Sequence, residues 1–431
     1  MKFNILQHFK PISISLSPNV EKDDVALAWK LLFQPWKWKR GKAIKELENK
    51  FKEYLGVKYA FSFNSGRSAF FAILKALDLE GGTDVLLQAF TCNAVPNPVL
   101  WANLNPVYVD CGEDFNIDIS KLKDERLNGK VLLVQHTFGL PVNMDKIMGI
   151  VKGSESFSQG EKSLPRQNNL TLIEDCAHAL GAEFNNQKVG TFGKASFFSF
   201  SRDKVISSVY GGMAVTNDDE IGKKLEELQK QFGKPDIYWI KQQLLHPILL
   251  HYIILPLYKF LDLGKILLIL SQWTHILSKA VSWKEKRGLK PDYFPKALPN
   301  ALAILALNQF NKLDKFYQHR RSLAQFYYEN LKNTKFELPN MVESQSFLRF
   351  SVKHPKAHEI IYNTWHKENI LLGDWYTTPI APDDTKLEEM KYKMGMCPNA
   401  EALSKVTLNL PTHINITMED AQRIVQFLKS F

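Results

Sequence analysis

A carboxylate and an amine each stand at the end of a short apolar run of the chain. Asp175 ends the run TLIED, and Lys204 follows the run ASFFSF after three polar residues. A lysine amine in such a position can form an imine with a carbonyl compound and can later carry a proton. A carboxylate at a strand end could keep a pyridine nitrogen protonated, so that the ring becomes an electron sink. A lone Asp or Lys at a strand end is more often a solvated surface group, but the ordered set of Asp175, Ser199 and Lys204 followed by Gly211 and Gly212 predicts the chemistry of pyridoxal 5'-phosphate (PLP).

A second candidate site is the turn Asn64–Ser68, between an apolar strand that ends at Phe63 and a helix that begins near Ser68. Backbone N–H groups at the start of a helix bind phosphate, and Gly66 lets an anion approach the main chain closely. An ordinary strand-to-helix turn would use the same residue types. We predict that Gly66 and Arg67 bind a phosphate group.

Both candidate sites lie in a region, from about residue 44 to residue 216, where short β-rich runs alternate with helical stretches. This alternation is typical of βαβ units around a mainly parallel sheet, which binds its ligands at strand ends. The predicted fold class is therefore α/β. The seven predicted strands are Tyr59–Phe63, Val85–Gln88, Pro106–Val109, Val131–Gln135, Leu170–Glu174, Ser196–Phe200 and Gly212–Val215.

The pattern changes after about residue 316 to that of a smaller α+β domain. We predict a large domain over residues 1–315, with an apolar helical insertion at about 236–290, and a small domain over 316–431. The polar residues 153–169 are predicted to form an exposed loop. The elements predicted for the small domain are helices at 317–331, 354–369 and 418–431, with Thr417 as the N-cap of the last, and strands near Phe336 and at 347–352.

The segment 244–283 is unusually apolar. Pro247, Pro256 and the charged residues Lys259 and Asp262 divide it, so neither part has the length needed to span a bilayer. A pair of helices packed on the domain or across a dimer would explain the composition. An interfacial membrane helix would explain it too, because Lys279, Lys284, Lys286 and Arg287 follow the apolar part.

The composition favours an intracellular globular protein. The formal net charge of the 431 residues is +10, but the lysines and arginines are spread along the chain, so we expect acidic small substrates or an anionic membrane surface rather than nucleic acid. The start of the chain shows no secretory signal, and we expect a cytoplasmic location. The four cysteines, Cys92, Cys111, Cys176 and Cys397, lack the spacing of a disulfide framework or a zinc site, so no metal is predicted.

Several longer stretches carry a resemblance to a known family. They are RGKAIKELENKFKEYLGVKYAFSFNSGRSA, LLQAFTCNAVPNPVLWANLNPVYVDC, VQHTFGLPVNMDKI and CPNAEALSKVTLNLPTHINIT, together with the two runs around Asp175 and Lys204. With these, the chain resembles the DegT/DnrJ/EryC1/StrS family of PLP-dependent sugar aminotransferases, which belong to the fold type I superfamily. The resemblance covers nearly the whole chain and leaves out the apolar segment that begins after about residue 236.

The resemblance implies a role for each matching residue. Lys204 corresponds to the lysine that carries PLP as an imine, and Asp175 to the acid that pairs with the pyridine nitrogen. His178 corresponds to a polar residue that contacts the ring substituents. Ser199, five residues before the lysine, resembles the serine that binds the phosphate. His136 matches a family motif but is expected to be structural.

Three positions depart from the family pattern. Arg67 stands where the family usually has a threonine of the phosphate turn. Cys92 stands where many relatives have an aromatic residue against the cofactor ring; we predict that it contacts the cofactor, although a buried small residue would look the same, and Phe90 could substitute. The Asn-Tyr-Arg stretch that relatives offer from the partner subunit is replaced around Lys296.

The resemblance implies a homodimeric aminotransferase that moves an amino group, with L-glutamate as the expected donor, to a keto group of a nucleotide-linked sugar for surface polysaccharide or a related glycan. One alternative is a PLP-dependent sugar dehydratase of the same family, which would have histidine in place of the lysine. The other is a non-catalytic regulator or membrane-associated binding protein. The retained Lys204 favours transamination.

Overall fold

The structure is a computed structural model that describes residues 10–123, 129–152, 170–342 and 344–431. The strands are β1 Ile12–Ser13, β2 Tyr59–Phe63, β3 Asp84–Gln88, β4 Thr91–Cys92, β5 Asn105–Val109, β6 Val131–Gln135, β7 Thr171–Asp175, β8 Glu183–Phe184, β9 Gln187–Lys188, β10 Ala195–Ser199, β11 Gly212–Thr216, β12 Arg349–Lys353, β13 Ile370–Leu371, β14 Ile380–Ala381 and β15 Thr407–Pro411. The predicted loop at 153–169 lies outside the described residues.

The α-helices are α1 Lys22–Leu32, α2 Ala43–Leu55, α3 Gly66–Ala76, α4 Pro96–Trp101, α5 Met144–Lys152, α6 Asp219–Phe232, α7 Ile237–Leu249, α8 Leu263–Trp273, α9 Asn300–Phe310, α10 Leu313–Leu331, α11 Ala357–Glu368, α12 Pro398–Val406 and α13 Met418–Leu428. Most of the helices that precede α10 pack on the two faces of one large sheet. Coverage of both faces is what a mainly parallel sheet requires, because its strands are apolar on both sides.

The large sheet has seven strands in the order β2-β11-β10-β7-β6-β3-β5. Strand β11 is antiparallel to both of its neighbours, and the other pairings are parallel. Adjacent residues alternate between two cores: Leu132 packs with α5 on one face, and Leu133 packs with α3 on the other. The predicted α/β class with a mainly parallel seven-stranded sheet is confirmed, and each predicted strand agrees with the structure to within one residue at either end.

The C-terminal part contains the antiparallel pair β12 and β15, packed against α10, α11 and α13. Thr417 caps α13 as predicted, since its hydroxyl accepts a hydrogen bond from the Asp420 N–H at 3.1 Å. The strand predicted near Phe336 is wrong, because that stretch pairs with β12 through a single bridge at Glu337. Strand β1 pairs with β13, so the first described residues pack with the C-terminal part.

The apolar segment forms two helices, but Pro247 does not end the first one. Pro247 lies inside α7, and the helix continues as a π-helical turn over Leu250–Ile254. A proline removes one backbone donor and crowds the turn that precedes it, whereas the π-helical turn lies after Pro247, where the Leu255 N–H donates to the Leu250 carbonyl oxygen at 3.0 Å. The second helix, α8, follows after the irregular residues 255–262.

Candidate functional site

A cavity of about 460 Å³ lies at the carboxyl edge of the parallel strands. Strands β2, β3, β7 and β10 all end there, so turns that are distant in the sequence meet at one place. Residues of the loop 374–377 close the opposite wall. The cavity wall contains every predicted site residue: Gly66, Arg67, Cys92, Asp175, His178, Ser199 and Lys204.

Asp175 is the last residue of β7 and points into the cavity. Its neighbour Glu174 points to the other face, where it accepts hydrogen bonds from the backbone N–H groups of Gly190 and Gly193. The Asp175 carboxylate accepts a hydrogen bond from the Ala177 N–H at 2.9 Å. Burial raises the pKa of Asp175 to about 6, since the hydrogen bond only partly offsets the loss of water. The carboxylate is therefore mainly ionised at neutral pH.

Lys204 sits on the turn that follows β10. The Asn19 side-chain amide donates to the Lys204 carbonyl oxygen and fixes the turn from the far end of the chain. The Lys204 Nζ lies 4.7 Å from the centre of the Trp375 ring. Burial lowers the pKa of Lys204 to about 8, although Cys92 and Asp175 favour the charged form. The amine is consequently much easier to deprotonate than an exposed lysine.

His178 lies flat between two aromatic rings. Its ring centre is 5.9 Å from that of Phe138 and 5.2 Å from that of Trp375, with nearly parallel planes. The His178 Nδ1 accepts a hydrogen bond from the Phe138 N–H at 3.2 Å, which fixes the ring. Burial lowers the pKa of His178 well below its usual value, so the ring is neutral at physiological pH.

The start of α3 forms a cradle that is rich in donors. Ser65 caps the helix by accepting from the Ser68 N–H at 3.0 Å, while the N–H groups of Gly66 and Arg67 begin the first turn. A β-carbon on Gly66 would lie 3.0 Å from the Ser199 Cβ, so helix start and serine are in close contact. Backbone N–H groups, a hydroxyl and the positive end of a helix are the donor set of a phosphate site.

Two arginines beside the cradle contact the apolar segment and its continuation. Arg67 forms an ion pair with Glu285 in which both side chains are buried, and its guanidinium lies 4.7 Å from the Phe294 ring centre. Burial would lower the pKa of Arg67, but the Glu285 charge raises it above its usual value. Arg202 donates to the hydroxyl of Ser278 at 2.7 Å, and its Nε has no hydrogen-bond partner among the described residues.

The structure shows what surrounds Cys92, Phe90 and Lys296, the residues at or near positions that depart from the family pattern. Cys92 lies in the cavity wall, and burial raises the pKa of its thiol. Phe90 packs in the core against Phe115 and Phe138, so it does not take the place of the missing aromatic residue. Next to the cradle, the Asn64 N–H donates to the Lys296 carbonyl oxygen at 2.9 Å, and the Lys296 N–H donates to the Asn64 Oδ1 at 3.2 Å.

His136 is held in a network of structural contacts. Its Nε2 lies 3.2 Å from a Glu174 carboxylate oxygen, and its Nδ1 accepts from the Val142 N–H at 3.1 Å. Both ring nitrogens are thus engaged away from the cavity.

Sequence reasoning missed the residues that complete the cavity from distant parts of the chain. Trp375 faces Lys204 and His178 from the loop after β13, and Tyr376 lines the cavity beside it. Ala280 and Val281 line the cavity from the end of the apolar segment. The only sequence signal was the aromatic pair in GDWYTTPI. This pair does not reveal where its side chains lie in the fold, because a loop has no periodicity from which the direction of a side chain could be inferred.

Comparison with known proteins agrees with this arrangement. The sequence model of the DegT/DnrJ/EryC1/StrS aminotransferase family matches residues 19–243 and 293–429. A GDP-perosamine synthase of Caulobacter vibrioides is 34% identical over 204 residues, which are 46% of this chain and 51% of that protein. The match therefore spans about half the length of that relative. Residues 244–292 have no counterpart in the family model.

Two solved structures show the same fold. PseC of Helicobacter pylori, an aminotransferase involved in the biosynthesis of pseudoaminic acid, superposes with a TM-score of 0.72 at 23% identity over 98% of this chain and 99% of that one. The GDP-4-keto-6-deoxy-D-mannose-3-dehydratase of E. coli, solved with bound hydrated PLP, gives 0.72 at 20% identity over 98% and 100%. At these identities the likeness establishes the fold.

Proposed function

This chain belongs to the DegT/DnrJ/EryC1/StrS aminotransferase family, and from that premise we propose that it is a PLP-dependent enzyme that transfers an amino group to a keto group of a nucleotide-linked sugar. L-glutamate is the proposed donor, and a surface polysaccharide or a related glycan is the proposed destination. The observation that carries the proposal is the single cavity in which Lys204, Asp175 and the α3 cradle meet.

The residues present fit PLP by their chemistry. The N–H groups of Gly66 and Arg67 and the Ser199 hydroxyl would hold the phosphate, and Asp175 would face the ring nitrogen. The volume of about 460 Å³ lies in the range of small-molecule sites. When bound, PLP supplies an electron sink that stabilises negative charge on the carbon next to the amino group. His178 and Cys92 would border the ring.

The side chains of this protein perform the remaining work. Lys204, with a pKa of about 8, is neutral in a substantial fraction of molecules near physiological pH, so its Nζ can attack a carbonyl carbon and can accept and return a proton. Asp175 stays ionised and holds a proton on a facing nitrogen. The aromatic residues Trp375 and Tyr376 exclude water from one wall of the cavity.

The proposed substrate class rests on charge and on relatives. A nucleotide-linked sugar carries a diphosphate, and the guanidinium-bearing residue Arg202 is part of the cavity wall. The relative named GDP-perosamine synthase points to a nucleotide sugar as well. Lys204 stands where the dehydratase alternative would need a histidine, which favours transamination.

The first experiment is replacement of Lys204. We expect Lys204→Ala to abolish covalent PLP binding and all transamination, because no other lysine lines the described cavity wall. Borohydride reduction of the wild type followed by peptide mapping should place the label on Lys204. Lys194→Ala, at a lysine whose side chain is half exposed, is the matched control and should behave as wild type. A label on any other lysine would contradict the assignment.

A second experiment separates turnover from binding alone. The visible absorbance of the bound cofactor should change when L-glutamate is added, and purified protein incubated with a panel of nucleotide keto-sugars should give an amino product detectable by mass spectrometry. A protein that binds PLP but shows neither change would be a non-catalytic binding protein.

A further inference from the structure

Helix α8 is an apolar helix that the rest of the described chain covers only in part. Of its 11 residues, Gly264 is the one that is buried. A β-carbon on Gly264 would lie 2.3 Å from the Ile254 carbonyl oxygen, so the helix rests on the chain below it through this residue. The exposed side chains include Trp273, which is 76% exposed, and Ile269, which is 64% exposed.

The exposed apolar side chains continue on both sides of α8. We call the set the apolar surface; its residues are Tyr252, Ile253, Phe260, Leu261, Leu263, Ile266, Ile269, Leu270, Trp273 and Ile276. The segment is held in place from below, since the hydroxyl of Tyr238 donates to the His275 carbonyl oxygen at 2.9 Å. Monomeric proteins rarely expose so many neighbouring large apolar residues without a function for them.

Basic residues are interspersed with and follow the apolar surface, and acidic residues there are few. The cations of this part of the chain are Lys241, Lys259, Lys265, Lys279, Lys284, Lys286, Arg287 and Lys290. Lys284 pairs with Asp292 and Lys286 with Asp384, whereas Lys241, Lys259 and Lys279 have no acidic partner among the described residues. Of the acids between residues 237 and 290, Asp262 pairs with Lys265, and Glu285 is buried against Arg67. An apolar face with a positive rim is complementary to a bilayer that contains anionic lipid.

A second copy of the chain is a poorer match for this surface. A two-fold interface uses the same patch on both copies, so the unpaired Lys259 and Lys279 of one copy would face a patch that carries the same positive charges on the other. Like charges at an interface oppose association. A spanning helix is not an option among the described residues, since none of their helices is both long and apolar enough to cross a membrane.

We propose that the apolar surface docks this protein on an anionic membrane, with α8 lying in the plane of the interface. Leu261, Ile269 and Trp273 enter the acyl boundary, and the lysines contact the lipid headgroups. The family model has no counterpart for residues 244–292, so docking is a property added to the common fold. The proposal does not depend on the reaction that the cavity performs.

Vesicle flotation with the full-length protein tests the proposal. Vesicles of phosphatidylcholine mixed with phosphatidylglycerol should carry the protein upward, and added salt should weaken the binding. The variant Leu261→Ser/Ile269→Ser/Trp273→Ser should stay at the bottom. The control Tyr362→Ser/Met394→Ser/Met396→Ser removes three exposed apolar side chains elsewhere and should float as wild type does.

The role of charge is tested separately. Lys259→Glu/Lys279→Glu should lower the partition coefficient for anionic vesicles by at least about 25-fold, because each cation near the surface contributes about fivefold. Unchanged thermal unfolding would show that the variants are folded. Wild-type protein that fails to float overturns the proposal. The proposal is also overturned if the serine variant changes from dimer to monomer in sedimentation while the wild type does not bind vesicles. The surface would then be an interface between copies of the chain.

Discussion

At the scale of single residues, the site depends on burial more than on charge pairing. Asp175 and Lys204 both line the cavity, and desolvation is the main cause of the shift in each pKa, upward for the acid and downward for the amine. Each shift brings the group closer to neutral pH, where proton transfer is efficient. The residue types were readable from the sequence, but the degree of burial was not, because it comes from Trp375 and Tyr376 far along the chain.

We predict that Asp175→Asn lowers turnover by orders of magnitude while PLP stays bound, since an amide cannot hold a proton on the ring nitrogen. Single-turnover absorbance kinetics measures this, with Asp219→Asn, at an exposed surface residue, as the control. Near-normal turnover in the variant would show that Asp175 is not the partner of the nitrogen.

The same substitution has a pH-dependent effect on stability in the cofactor-free protein. The folded pKa of Asp175 is raised from 3.8 to about 6, so the folded state carries a penalty for the buried charge above about pH 6 and none below the unfolded value. Urea unfolding should therefore show Asp175→Asn gaining stability relative to wild type as the pH rises through this window. A gain that is equal at pH 4 and pH 8 would contradict burial of the charge as the cause.

At the scale of elements, the sequence predicted those strands and helix ends that have a local signal in the chain. The strands of the large sheet and the N-cap of α13 were found because apolar runs and capping residues are local signals. The prediction of a strand near Phe336 was wrong, because pairing within a sheet depends on packing that a local pattern does not record. For the same reason the sequence did not show that α7 would continue past Pro247 into a π-helical turn. The pairing of β1 with β13 lies beyond local patterns for the same reason.

At Gly212, two elements of the site, β11 and the start of α3, come so close that only glycine fits between them. Gly212 begins β11 beside the cradle, and a β-carbon there would lie 2.5 Å from the Gly66 backbone nitrogen. We predict that Gly212→Ala separates β11 from the start of α3, costs about 1–3 kcal/mol of stability and weakens PLP binding at least tenfold. Fluorescence titration with PLP measures the binding.

Gly112→Ala is the control for this substitution. Its new β-carbon would meet the Asp114 side chain at 3.1 Å and no part of the cradle. Equal PLP affinity in the two alanine variants would show that the contact between β11 and α3 does not shape the phosphate site.

At the scale of the whole molecule, the sequence predicted the fold class and the clustering of the site residues in one place. The oligomeric state cannot be read from a single chain. The sequence predicted a mainly parallel sheet, and such a sheet collects strand ends at one edge, which is why all predicted site residues line one cavity. The division at residues 315 and 316 remains a prediction, since β1 already packs with the C-terminal part.

We predict that the protein is a homodimer at micromolar concentration, because the family resemblance implies active sites built from both subunits. Sedimentation velocity measures the state. The dimer should persist in Leu261→Ser/Ile269→Ser/Trp273→Ser, since the apolar surface is assigned to lipid. A fully active monomer would contradict the prediction.

The buried pair of Arg67 and Glu285 also joins the start of α3 to the stretch that the family model does not match. Glu285 lies in the part that the family model does not match, and the resemblance in sequence implies that Arg67 replaces a threonine of the phosphate turn. Losing the Glu285 carboxylate alone would leave a buried guanidinium without its partner, which typically costs about 3–5 kcal/mol. Arg67 and the stretch that carries Glu285 are therefore expected to occur together in relatives, and an engineer who shortened the chain would need to replace Arg67 as well.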